Sequence, residues 1–71
     1  MPAPIIVKIN SKTYSIPILN GEMDSLVQEI QTVQEDIRRS TERRKNALDQ
    51  LDNIYNNLLL IYIQQTGQYP S

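Results

Sequence analysis

The side chains that could do chemistry in this chain form one dense cluster and a scatter. Arg38, Arg39, Arg43, Arg44 and Lys45 crowd a short central stretch. Cations at that density could contact phosphates, and self-assembly would multiply the charge. Glu22, Asp24, Glu29, Glu35 and Asp36 precede them and make the upstream stretch acidic. Neighbouring carboxylates such as Glu35 and Asp36 diverge on a helix, so a solvated face is expected there rather than a calcium or magnesium site. The chain has no His and no Cys. The usual general bases, thiol nucleophiles and imidazole metal ligands are therefore missing. Gly21 and Gly67 lie too far apart to make a phosphate-binding loop. No enzyme, cofactor or metal ion is expected. The net charge of -1 gives no bulk attraction to nucleic acid.

These cations sit inside a pattern that must position them. Met23, Ile30, Ile37, Arg44, Leu51 and Leu58 recur at every seventh position. Leu26, Val33, Ser40, Ala47, Ile54 and Ile61 fall between them at alternating three-four spacing. No Gly or Pro interrupts the segment. The spacing predicts one long helix over 21–66 that buries a narrow stripe against other helices. At ~1.5 Å per residue it would be a rod on the order of 60 Å long. Such a helix needs a partner, and copies of the same chain, as a dimer or tetramer, are the first expectation. Met23, Leu26, Ile30, Val33, Ile37, Leu51, Ile54, Leu58 and Ile61 are the residues expected to carry assembly.

Ser40 and Arg44 interrupt the stripe within one turn of each other. A polar layer that sets register and oligomer state is one reading. A helix break near residues 39–41 is a second, and would put the arginines at a solvated bend. A basic band that binds an acidic partner is a third. Charge mildly favours antiparallel association and a shared sheet of hairpins favours the reverse, so orientation stays open.

The final third of the helix is nearly uncharged and apolar on several faces. Leu48, Tyr55 and Tyr62 recur beside the main stripe, and Leu59, Leu60 and Ile63 widen it. A wider core such as a four-helix bundle would bury them. Alternatively Tyr55, Leu59, Tyr62 and Ile63 form an exposed patch for another protein.

Upstream, Ile5–Ile9 and Tyr14–Ile18 alternate as strands. Pairing Ile9 with Tyr14, Val7 with Ile16 and Ile5 with Ile18 makes a hairpin with one apolar face. Residues 1–20 are thus an extended start and a hairpin. Asn20-Gly21 is a turn, Asp24 or Ser25 caps the helix, with Ser25 and Gln28 fitting a capping box. Gly67 ends the helix, and residues 67–71 are a flexible tail. The longest apolar run, Leu58 to Ile63, is far below the ~20 residues that span a bilayer. The N-terminus lacks the pattern of a signal peptide, so a cytoplasmic location is the default.

The fold class expected is mainly α, with an N-terminal β-hairpin and one long helix in an oligomeric coiled coil or helical bundle. The function expected is a non-catalytic, homo-oligomeric interaction, scaffold or adaptor module whose partners are itself and another protein. The alternative is a small nucleic-acid-binding regulator using the arginine band. Against it, the helix before the arginines is acidic and the heptads begin upstream of them, unlike a basic-region zipper. Ribbon-helix-helix regulators, with one strand and two short helices, also differ from the expected elements. The order of hairpin and coiled-coil helix is loosely similar to bacterial division accessory proteins that cross-link tubulin-like filaments. The local likeness, Val7-Lys8-Ile9 through Lys12-x-Tyr14-x-Ile16, is a generic hairpin pattern and assigns no family.

Overall fold

The computed structural model describes residues 4–40, 42 and 44–70. Four elements follow one another: strands β1 (Ile5–Ile9) and β2 (Lys12–Ile16), then helices α1 (Gly21–Arg39) and α2 (Arg44–Thr66).

The strands form an antiparallel hairpin in which Ile5 faces Ile16, Val7 faces Tyr14 and Ile9 faces Lys12. This register differs by two residues from the expected one. Asn10 and Ser11 form a two-residue turn with φ of 52° and 68°. Both lie in the left-handed region, as the twist-matched turn of a tight hairpin requires. The expected pairing of Ile9 with Tyr14 would leave a wider connection over residues 10–13, which this turn replaces. A slip of two residues leaves every side chain on its original face. Val7, Ile9, Tyr14 and Ile16 are accordingly buried, while Ile6 and Lys8 point outward. The second strand ends before Pro17, which has no N–H to give to a ladder, so Ile18 lies beyond the sheet and packs against the core from the connection.

Helix α1 starts at Gly21, the expected boundary, but its cap differs from the expected ones. Asn20, not Asp24 or Ser25, is the cap: its Oδ1 accepts from the Met23 backbone N–H at 2.9 Å. The Asp24 N–H donates to the Asn20 carbonyl at 3.1 Å, closing the first turn. Asn is among the best residues for this role. Ser25 is exposed within the first turns, and Gln28 donates to the Asp24 carboxylate at 3.2 Å instead of completing a capping box.

The single long helix is not formed. The chain leaves the helical conformation at Ser40, which is extended (φ -128°, ψ 124°) and whose N–H donates to the Asp36 carbonyl at 3.0 Å. It then turns back into α2, and the longest dimension is 39 Å rather than the length of a straight rod. The physical reason is nonlocal. The two apolar halves of the stripe bury each other when the helices fold into an antiparallel pair. The polar positions Ser40 and Arg44 then fall at the bend, with Arg44 exposed. A straight helix would instead hold Arg39 and Arg43 one turn apart, a repulsive spacing.

Met23, Ile30 and Val33 of α1 and Ala47, Leu51, Ile54 and Leu58 of α2 join the hairpin's inner face in one core. Ile16, Met23, Ile30 and Leu58 are fully enclosed. Each such side chain contributes about 1.5–3 kcal/mol relative to exposure. Among the described residues no polar or charged side chain is buried. Gly67 (φ 74°) ends α2 as expected, its N–H donating to the Ile63 carbonyl at 2.7 Å. After it, Tyr69 lies beside Tyr14 of β2 and Pro70 is buried, while Ser71, the last residue of the expected tail, lies outside the described residues.

Candidate functional site

Helix α2 carries three stripes. The first, Ala47, Leu51, Ile54 and Leu58, is buried in the core shared with α1. The second contains Tyr55, Leu59, Tyr62 and Ile63, the residues suggested as a patch for another protein. Here Leu59 is buried in the core and the other three pack against it, half-buried. Leu59 and Ile63 share a groove with Ile9 and Tyr14 of the hairpin. The chain's own β-hairpin therefore meets this stripe.

The third stripe faces outward and is the candidate site. It consists of Asn53, Asn57, Leu60 and Gln64, spaced to lie along one line of the helix. No charged residue occurs from Asn53 to the end of the chain. Leu60 stands out of this polar, uncharged surface, 55% exposed, while its neighbour Leu59 is 8% exposed. Two shallow grooves flank Leu60. One, about 290 Å³, runs between the helices and is lined by Glu22, Leu26, Asn57, Leu60, Ile61 and Gln64. The other, about 400 Å³, separates α2 from the hairpin tip and includes Lys12, Tyr14, Asn56, Leu60 and Tyr69. Lys12 Nζ lies 5.4 Å from the centroid of the Tyr14 ring, within reach of a cation–π attraction. The result is an apolar ridge between a groove edged by a carboxylate and a groove edged by an ammonium.

The residues expected to assemble copies lie in or against this chain's own core. Met23, Ile30, Val33, Leu51, Ile54 and Leu58 are buried, and Leu26, Ile37 and Ile61 are partly buried against the same core. The basic residues gather at the opposite end of the helix pair. Arg38 reaches Glu35 at 2.6 Å and Arg39 reaches it at 3.3 Å. Arg44 and Lys45 are exposed in the first turn of α2, while Arg43 lies outside the described residues. Exposed pairs of this kind contribute little to stability. Their placement in the last turn of α1 suits the helix dipole, whereas Arg44 and Lys45 oppose the dipole of α2.

Among the described residues, no group of three or more acidic, His or Cys side chains could hold a metal ion. Nor is any described helix long and apolar enough to cross a membrane. No family model, no curated protein and no solved structure matches this chain.

Leu60 and its grooves carry a weak signal in the sequence. Leu60 belongs to the apolar run 58–63, but its distinction from Leu59 depends on where the hairpin lands.

Proposed function

We propose that this chain is a small, non-catalytic interaction module that self-associates through the outer face of α2 and serves as a scaffold or adaptor for another protein. The observation that carries this reading is Leu60. It is a large apolar side chain, more than half exposed, on the part of α2 after Asp52, which carries no charge. Its two grooves offer further apolar floor from Leu26, Ile61 and Leu59. A chain of 71 residues buries a smaller fraction of its surface than larger domains do, and association is a common supplement. Within the chain the heptad stripe is already occupied by the helix pair, which favours the outer face of α2 as the surface for association.

The basic end supports a nucleic-acid role less well. Arg38 and Arg39 both engage Glu35, and Asp36 follows directly. Sedimentation equilibrium of the full chain over a wide concentration range tests the proposal. A mass rising from 8.2 kDa toward twice that value supports it. A constant 8.2 kDa at every concentration refutes self-association.

A further inference from the structure

The two grooves beside Leu60 differ in charge, and that difference specifies how a second copy would sit. Glu22 edges the groove on the α1 side of Leu60, and Lys12 edges the groove on the hairpin side. Both side chains are exposed. Both grooves lie against the same stretch of α2, from Asn56 to Gln64. Between them the ridge is neutral, so nothing repels an approaching copy at the centre.

A face-to-face pair related by a two-fold axis has two simple arrangements. If the axis runs along α2, the two α2 helices lie parallel and each copy's hairpin flank meets the other's α1 flank. If the axis runs across α2, the helices lie antiparallel and each flank meets its own copy. The first arrangement sets Lys12 of each copy against Glu22 of the other, giving two opposite-charge contacts. The second sets Lys12 against Lys12 and Glu22 against Glu22. Charge complementarity at an interface mainly selects orientation and excludes wrong geometries.

Resting on the self-association proposed above, we infer that the partner at Leu60 is a second copy of this chain, with the α2 helices parallel and Lys12 facing Glu22 across both flanks. Leu60 from each copy then packs beside the axis, in the manner of a ridge entering a groove. Asp49 is in line with Leu60 but three turns nearer the bend, about 16 Å along the helix. The broad face of the molecule measures 39 by 25 Å. A standard interface takes about 800 Å² from each partner, which is most of that face. Area does not set affinity, but one exposed leucine on a polar stripe gives a weak, reversible association, with a Kd of roughly micromolar order.

Charge exchange on the full-length chain tests this, read by sedimentation equilibrium with circular dichroism as the check on folding. Lys12→Glu alone and Glu22→Lys alone should each weaken the dimer roughly ten-fold, because two attractions become two repulsions. The double exchange should restore the wild-type Kd to within about two-fold. Leu60→Asp should abolish the dimer without unfolding the chain, since Leu60 is exposed. Leu48→Asp, also on an exposed position of α2, should leave it intact. A wild-type dimer that survives Leu60→Asp overturns the interface and leaves self-association standing. Loss of the dimer in Leu60→Asp without rescue by the double exchange overturns the parallel pairing. A wild-type chain that is monomeric throughout overturns the self-association itself, and this inference with it.

Discussion

The ring of Tyr69 lies 6.3 Å from the ring of Tyr14, centroid to centroid, at an interplanar angle of 33°. The contact joins the segment that follows α2 to β2. Gly67 makes it possible, since its left-handed backbone turns the chain out of α2. The Thr66 hydroxyl supports the same turn by donating to the Tyr62 carbonyl at 2.8 Å and accepting from the Gln68 N–H at 3.2 Å. Tyr69 is 66% exposed, so the aromatic contact contributes less than a buried pair does. Replacing Tyr69 by Ala should lower stability by about 0.5 kcal/mol without changing secondary structure. Denaturant midpoints measure the change, and a loss of zero would show that the tail only rests on the hairpin.

The hairpin turn offers a gain in stability. Ser11 holds φ of 68°, a region that disfavours side chains with a Cβ. Glycine relieves this, and Asn-Gly is the preferred pair for such a turn. Ser11→Gly should stabilise the fold by roughly 0.5–1 kcal/mol, the relief of a left-handed residue reduced by the added freedom of the unfolded chain. A thermal melt would register the gain as a higher Tm. A lower Tm would indicate that the turn has a different conformation in solution.

Core and surface leucines on α2 should separate cleanly. Leu58 is fully enclosed and Leu48 is about half exposed. Leu58→Ala should cost about 2–5 kcal/mol through lost burial and the cavity left behind. Leu48→Ala should stay within about 0.5 kcal/mol of the wild type, as surface changes do. Comparable losses at both positions in urea titrations would contradict the assignment of faces on α2.

The arginine end gives a further expectation. Lys45→Glu places a carboxylate in the first turn of α2, where the structure has only cations. It should raise stability by about 0.3–1 kcal/mol at low salt, and the gain should shrink as salt is added. A salt-independent effect would assign the change to packing rather than to charge.

Much of the architecture is legible in the residues themselves, and the failures have identifiable causes. The alternation of Val7, Ile9, Tyr14 and Ile16 places them on one face because a strand repeats every two residues. The register is hidden from that reasoning, since a two-residue slip preserves the faces. Asn20 is easily taken for a turn residue beside Gly21, yet the same oxygen that favours turns caps the helix. The break at Ser40 has no Gly or Pro to mark it, and the heptads continue in phase on both sides. Only the mutual burial of Ile30, Val33, Leu51 and Ile54 decides it, and that is a contact between distant parts of the chain. The same holds at the candidate site. The step from Leu59 to Leu60 turns about 100° around the helix, from a face that the hairpin meets to a face that it leaves open.

Whether the stripe closes within one chain decides which surface is left for a partner, and it can be measured directly. Glu29 and Gln50 line the same hollow between α1 and α2. The chain holds no Cys, so cysteines introduced at these two positions can carry spin labels specifically. The doubly labelled chain is then diluted into an excess of unlabelled chain and the label separation is read by dipolar spectroscopy. The folded-back structure predicts a short separation, set by helices about 10 Å apart plus the label linkers, unchanged by dilution. A straight helix would instead give a backbone separation of roughly 30 Å within one chain. That result, or a short distance that disappears on dilution, would show that the stripe pairs between chains and would contradict the account.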